Sequence, residues 1–154
     1  MSFRVRGLSP EPFRSLFNLS DAELHRVGAR RVFADDPAMP CRVSMAHADV
    51  GEELLLVNFE HQPANTPYRS THAIYVRKIA AEAYDAVDEI SPVLATRLLA
   101  VRVFDAKHMM IDAELCEGIK AADMFERFLS NPEASYLHVH NARRGCYAAR
   151  VERA

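Results

Sequence analysis

No stretch of the chain approaches the roughly 18 consecutive apolar residues of a membrane span. Its first residues, MSFRVRGLSPEPF, carry charge and proline where a signal peptide needs an apolar run. Membrane insertion and export are therefore not expected, and a cytoplasmic location is. Cysteine is scarce: Cys41, Cys116 and Cys146 are an odd number at wide spacing, without a C-x-x-C pair. That excludes a disulfide scaffold and predicts reduced thiols. An excess of positive charge is also missing. The formal charge is -2, which argues against the basic field that nucleic-acid binding requires. The chain further lacks G-x-G-x-x-G, G-K-[ST], H-E-x-x-H and G-x-S-x-G, so the large cofactor and hydrolase classes gain no support.

What is present describes a globular protein. With 154 residues, 49 % hydrophobic and 26 % charged, residues 1–154 are expected to form a single domain that buries roughly 68–70 % of its extended surface. Among the 19 cationic residues, Arg is far commoner than Lys. This abundance fits guanidinium recognition of anions, and equally a GC-rich coding sequence.

The local patterns predict short elements. SFRVRGL alternates as a strand. Ser9 caps a helical turn with Pro10 at its first position, and Ser20 with Glu23 makes a capping box for a second short helix that Gly28 ends. Residues 30–34 and 40–46 read as strands around DDPAMP. Residues 53–60 form a strand apolar on both faces and therefore central. The polar loop HQPANTPYRST leads into the strand HAIYVRK, and two more strands are expected at 98–104 and 108–115. Ser91 and Pro92 signal a helical turn. Residues 118–129 carry an apolar helical stripe at Ile119, Met124, Phe125 and Leu129. The chain closes in a hairpin, SYLHVHN and CYAARVE, around Arg143, Arg144 and Gly145. Short connections between successive strands give an α+β fold, a mostly antiparallel or mixed sheet with a few helices packed on one face.

The closing hairpin carries the chemistry. Leu137 and Val139 share one strand face, so the period of two sends Tyr136, His138 and His140 to the other. A register summing to 286 places Cys146 opposite His140. A slip of one residue places Tyr147 there and removes the thiol from that face. Three chemistries follow. His138 and His140, joined by His61 or His72, have the residue types of a divalent-metal site. Cys146 activated by His140 beside Arg143 and Arg144 is a candidate nucleophile and base. His61, Tyr68, Arg69, His72, His138, Asn141 and Arg143 together are candidates for holding a small anionic ligand. Each has a plainer counterpart: a hydrogen-bonded histidine network, a core cysteine and a solvated hairpin tip. Cys41 and Cys116 are read as core residues only. The HVHN pattern superficially resembles the histidine-triad nucleotide hydrolases, but position 142 is Ala142 and no counterpart to their nucleophile exists.

A different class of function is a non-catalytic interaction module that dimerises, or binds another protein, through a sheet edge or apolar patch. The segments PCRVS, EHQPANTPYRS and YLHVHNARRGCYAARV resemble a domain-of-unknown-function family of small bacterial proteins. That resemblance implies an intact domain and carries no activity, ligand or catalytic residue with it.

Overall fold

The computed structural model describes residues 1–154. In chain order the strands are β1 (Phe3–Arg6), β2 (Ala29–Phe33), β3 (Glu53–Gln62), β4 (Ser70–Arg77), β5 (Asp85–Val87), β6 (Leu98–Phe104), β7 (Met110–Glu117), β8 (Tyr136–Asn141) and β9 (Tyr147–Arg153). The helices are α1 (Glu11–Arg14), α2 (Asp21–Arg26), α3 (Pro92–Ala95) and α4 (Ala121–Leu129). All strand pairs are antiparallel, and the fold is α+β. No helix is long and apolar enough to cross a membrane.

The strands form two sheets where the sequence suggests one: six in the order β5-β1-β9-β8-β6-β7, and three in the order β2-β3-β4. Each sheet has its own core. The larger core holds 18 buried residues, with Leu99, Val101, Val103, Leu137 and Val139 of the sheet packed beneath Phe125 and Leu129 of α4. Arg153 at the end of β9 donates to the carbonyls of Leu129, Asn131 and Ala134, closing the C-terminus of that helix. The smaller core places Phe13 and Leu24 against Leu55, Val57, Ile74 and Val76 of β3 and β4.

The capping box is present: Glu23 N–H donates to Ser20 Oγ, and the Glu23 carboxylate accepts from Ser20 N–H. Gly28 ends that helix with a positive φ of 72°. At α1 Ser9 accepts only a 3.3 Å bond from Glu11 N–H. Two other expectations change, and one strand, β5, is not foreseen from the sequence. Residues 40–46 are not a strand, because the segment turns back on itself, with isolated bridges at Pro40–His47 and Cys41–Tyr75. Helix α4 starts only at Ala121 after a 3-10 turn, so Ile119 projects into solvent at 78 % exposure and does not join the stripe. The edge strand β5 has only three residues, too few to give a period.

The other edge, β7, exposes Ile111 and Leu115 but intersperses Asp112, Glu114 and Glu117, charges that oppose edge-to-edge pairing.

Gly118 sits where a Cβ would overlap the Leu94 carbonyl, whereas a Cβ at Gly51 meets nothing within 4 Å. Gly118→Ala is expected to cost about 3 kcal/mol through backbone overpacking. Gly51→Ala should cost only about 1 kcal/mol, from its positive φ. Urea unfolding of the two variants checks the order.

Candidate functional site

Strand β8 is buried at all six positions. Leu137 and Val139 face α4, while Tyr136, His138 and His140 face the three-stranded sheet, as the alternation requires. The groups that meet them come from the ends of β3 and β4, which continue into the segment expected to be a loop. A register irregularity between Phe59 and Gln62 marks this region. His61 and His72 therefore lie on paired strands. His61 Nε2 is 2.7 Å from His72 Nδ1, with the rings stacked at 4.8 Å. The His61 ring stacks on Tyr147 at 4.9 Å and stands edge-on to His140 at 5.0 Å and His138 at 5.9 Å. Gln62 Nε2 donates to the Tyr136 hydroxyl, which also lies 2.8 Å from His108 Nδ1.

Protonation states follow from this burial. Desolvation, with His72 and Arg102 nearby, lowers the His61 pKa to about 4. His138 falls to about 2 by burial, reinforced by His61, His140, Arg150 and Arg102. His140 falls to about 3, although its bond to Gly145 opposes the shift. All three are neutral at pH 7. His140 Nδ1–H must donate to the Gly145 carbonyl, 2.9 Å away, which leaves its lone pair on Nε2. His140 Nε2, His61 Nδ1 and His138 Nδ1 are buried without a hydrogen-bond partner.

A second feature opens beside the same hairpin. Arg42, from the turn at residues 40–46, is 2 % exposed. Its guanidinium donates to the carbonyls of Tyr147 (2.8 Å) and Pro40 (2.6 Å) and to Cys146 Sγ (3.1 Å), and no carboxylate pairs with it. Burial lowers its pKa, an effect opposed by Cys146. Asn141 Nδ2 also donates to Cys146 Sγ, at 3.4 Å, and Asn141 Oδ1 is buried without a partner. These groups line a cleft of about 610 Å³ with Arg97, Arg143 and Arg144, faced by Asp35 and Asp36. Four arginines against two aspartates give the lining a formal charge of +2. Arg97 likewise has no carboxylate partner and is held by the carbonyls of Val93 and Ala38 and by His47 Nε2.

The structure thus divides the residues that the sequence groups together. His61, His72, His138 and His140 meet at the seam between the sheets. Asn141, Arg143 and Cys146 line the arginine cleft. Tyr68 and Arg69 join neither group: Tyr68 packs edge-on against Phe104 at 6.2 Å, and Arg69 pairs with Glu60 at 2.9 Å.

The pairing of Cys146 with His140 also changes. His140 lies opposite Tyr147, Val139 opposite Ala149 and His138 opposite Arg150, with a register shift between Val139 and His140. This irregularity inserts one residue, removes Cys146 from the imidazole face and leaves no hydrogen bond between the thiol and His140. The placement of Tyr147 opposite His140 is the second of the two registers the sequence allows, whereas Arg42, Arg97, Arg102 and Gln62 escape sequence reasoning. For Arg42 the only local signal is a charged residue between the buried apolar Cys41 and Val43.

The neutral, buried histidines give stability a definite pH dependence. Above about pH 6.5 the folded and unfolded chains bind the same number of protons at these rings. Below it the unfolded chain takes up protons that the folded chain refuses until about pH 4, 3 and 2 for His61, His140 and His138, so stability falls with pH through that window. Urea midpoints in chelator-containing buffer should drop between pH 6.5 and 4.5, and less in a His138→Gln variant. A flat profile would contradict the burial of neutral rings.

Comparison with known proteins matches residues 38–153 to the family described as "Protein of unknown function (DUF1203)". No curated protein and no solved structure matches the chain. The matched span runs from the turn that precedes β3 through β9 and includes Arg42, the four histidines of the seam and Cys146. Because it covers about three quarters of the sequence, the chain belongs to the DUF1203 family of proteins of unknown function.

Proposed function

We infer that the protein binds a small anionic molecule, a carboxylate or phosphate ester, in the cleft between Arg42, Arg97, Arg143 and Arg144. The observation that carries this reading is the Arg42 guanidinium, 2 % exposed and without a carboxylate partner. Removing an unpaired cation from water costs several kcal/mol, which carbonyl dipoles repay only in part. An anion in the cleft would complete the compensation.

The dimensions agree, since small-molecule sites commonly enclose about 300–1,000 Å³. Guanidinium groups from three separate segments suit bidentate contacts to carboxylate or phosphate oxygens. Asn141 Oδ1, a buried acceptor without a donor, would favour a ligand that also carries a hydroxyl or amine near its anionic group. Cys146 would lie against such a ligand, held by Arg42 and Asn141. A binding role is favoured over nucleophilic catalysis because no base reaches the thiol.

Two measurements test this reading. At low ionic strength, pyrophosphate or succinate should raise the melting temperature of the wild-type chain, and added salt should diminish the effect. Arg143 and Arg144 are exposed at the hairpin tip. The double variant Arg143→Ala/Arg144→Ala should therefore keep its ligand-free stability while binding about tenfold more weakly, a difference of about 1.4 kcal/mol. Equal shifts in both proteins, or none in either, would rule the cleft out.

The second measurement uses charge selectivity at the thiol. The ratio of iodoacetate to iodoacetamide alkylation should be higher at Cys146 than at Cys116, where Glu114, Glu117 and Asp123 against Lys120 and Arg127 leave the surroundings a formal charge of -1 in place of +2. Peptide mass spectrometry reads both sites, and identical ratios would argue against a cationic cleft.

A further inference from the structure

We propose that His61, His138 and His140 bind one divalent transition-metal cation of the zinc class at the seam between the two sheets. This site is separate from the anion cleft and stands on different observations. The three residues each offer one ring nitrogen, and those nitrogens lie within 4.8 Å of one another. His61 comes from β3 of the small sheet and the other two from β8 of the large one, so the site exists only where the sheets meet.

Three buried nitrogens, His61 Nδ1, His138 Nδ1 and His140 Nε2, have no hydrogen-bond partner. Unsatisfied polar atoms this deep are uncommon, and a group of them calls for a ligand. The far side of two rings is already held in the manner of metal-binding histidines. His140 Nδ1–H donates to the Gly145 carbonyl, leaving the Nε2 lone pair free, and His61 Nε2 is engaged by His72 Nδ1. If His61 donates in that bond, its Nδ1 also carries a lone pair.

The donor set selects the class of ion. Three neutral imidazoles suit zinc, copper, nickel or cobalt, whereas calcium and magnesium require oxygen ligands that are missing here. Three points no more than 4.8 Å apart lie within about 2.8 Å of a common centre, so the rings must close by up to about 0.7 Å to reach a zinc–nitrogen bond of ~2.1 Å. Charge shapes the remaining coordination. Arg102 lies opposite His138 on β6 and has no ion-pair partner, while Arg150 and His72 also face the cluster. With neutral ligands and these cations around it, the ion requires an anionic fourth ligand, hydroxide or a small anion, and three histidines leave that position open.

The test uses the full chain, purified without a nickel column and treated with chelator. Titration with zinc by calorimetry should give one equivalent and a raised melting temperature, and cobalt should give the visible spectrum of a four- or five-coordinate nitrogen–oxygen site. His61→Gln and His140→Gln should each weaken zinc binding by about 100-fold or more, with the metal-free fold checked by circular dichroism. Zinc-edge X-ray absorption of the wild-type complex should find nitrogen and oxygen neighbours only, a readout that survives even if both variants fail to fold. No binding by the folded chain, sulfur in the first shell, or unchanged affinity in both variants would overturn the proposal. The failure of pyrophosphate to bind the cleft would leave it intact.

Discussion

Strand β8 is covered on both sides, and the rest of the molecule is arranged around that constraint. One face is ordinary: Leu137 and Val139 pack beneath α4 and remove apolar surface from water. The other face carries a tyrosine and two histidines, none more than 3 % exposed. Polar groups buried this deep are costly unless they find partners. The small sheet supplies Gln62 for Tyr136 and the His61 ring, and the large sheet's own Tyr147 adds a second ring beside the imidazoles, but three ring nitrogens stay unmatched. The strand that joins the two halves of the molecule is therefore also its least satisfied part.

Arg42 plays a complementary role on the adjoining side of the seam. Its turn reaches Tyr147 and Cys146 of the large sheet through the guanidinium, and its own carbonyl accepts from Leu8 N–H. The neighbouring Val43 carbonyl accepts from Tyr84 N–H and passes so close to Gly7 that a side chain there has no room. A cation used as a cross-brace without a counter-charge leaves a positive potential at the cleft, where Arg97 adds a second unpaired guanidinium. Stability and the proposed anion affinity thus draw on the same group. A structural role for Arg42 and a binding role for the cleft are not alternatives.

Much of the local structure was legible in the sequence. The Ser20–Glu23 box, the alternation in HAIYVRK and the LHVH pattern each encode an element within a few residues, because capping and periodicity are local properties. The face on which His138 and His140 lie came from that alternation alone. The division into two sheets did not, since β2-β3-β4 and the larger sheet use strands of the same character. Nor did the course of 40–46, whose apolar residues suit a strand but whose backbone pairs only at isolated points.

The sequence by itself determined which side chains leave the hydrophobic interior together, since a pleated strand permits only two directions. It could not determine what they meet. One inserted residue in the β8–β9 ladder sends Cys146 to the arginine cleft and puts Tyr147 beside His140. Whether His61 and Arg42 arrive at that seam depends on contacts between residues 70 to 105 positions apart. Such contacts are fixed by the docking of two separately packed cores, a choice made by the total burial of the chain and not by any short stretch of it.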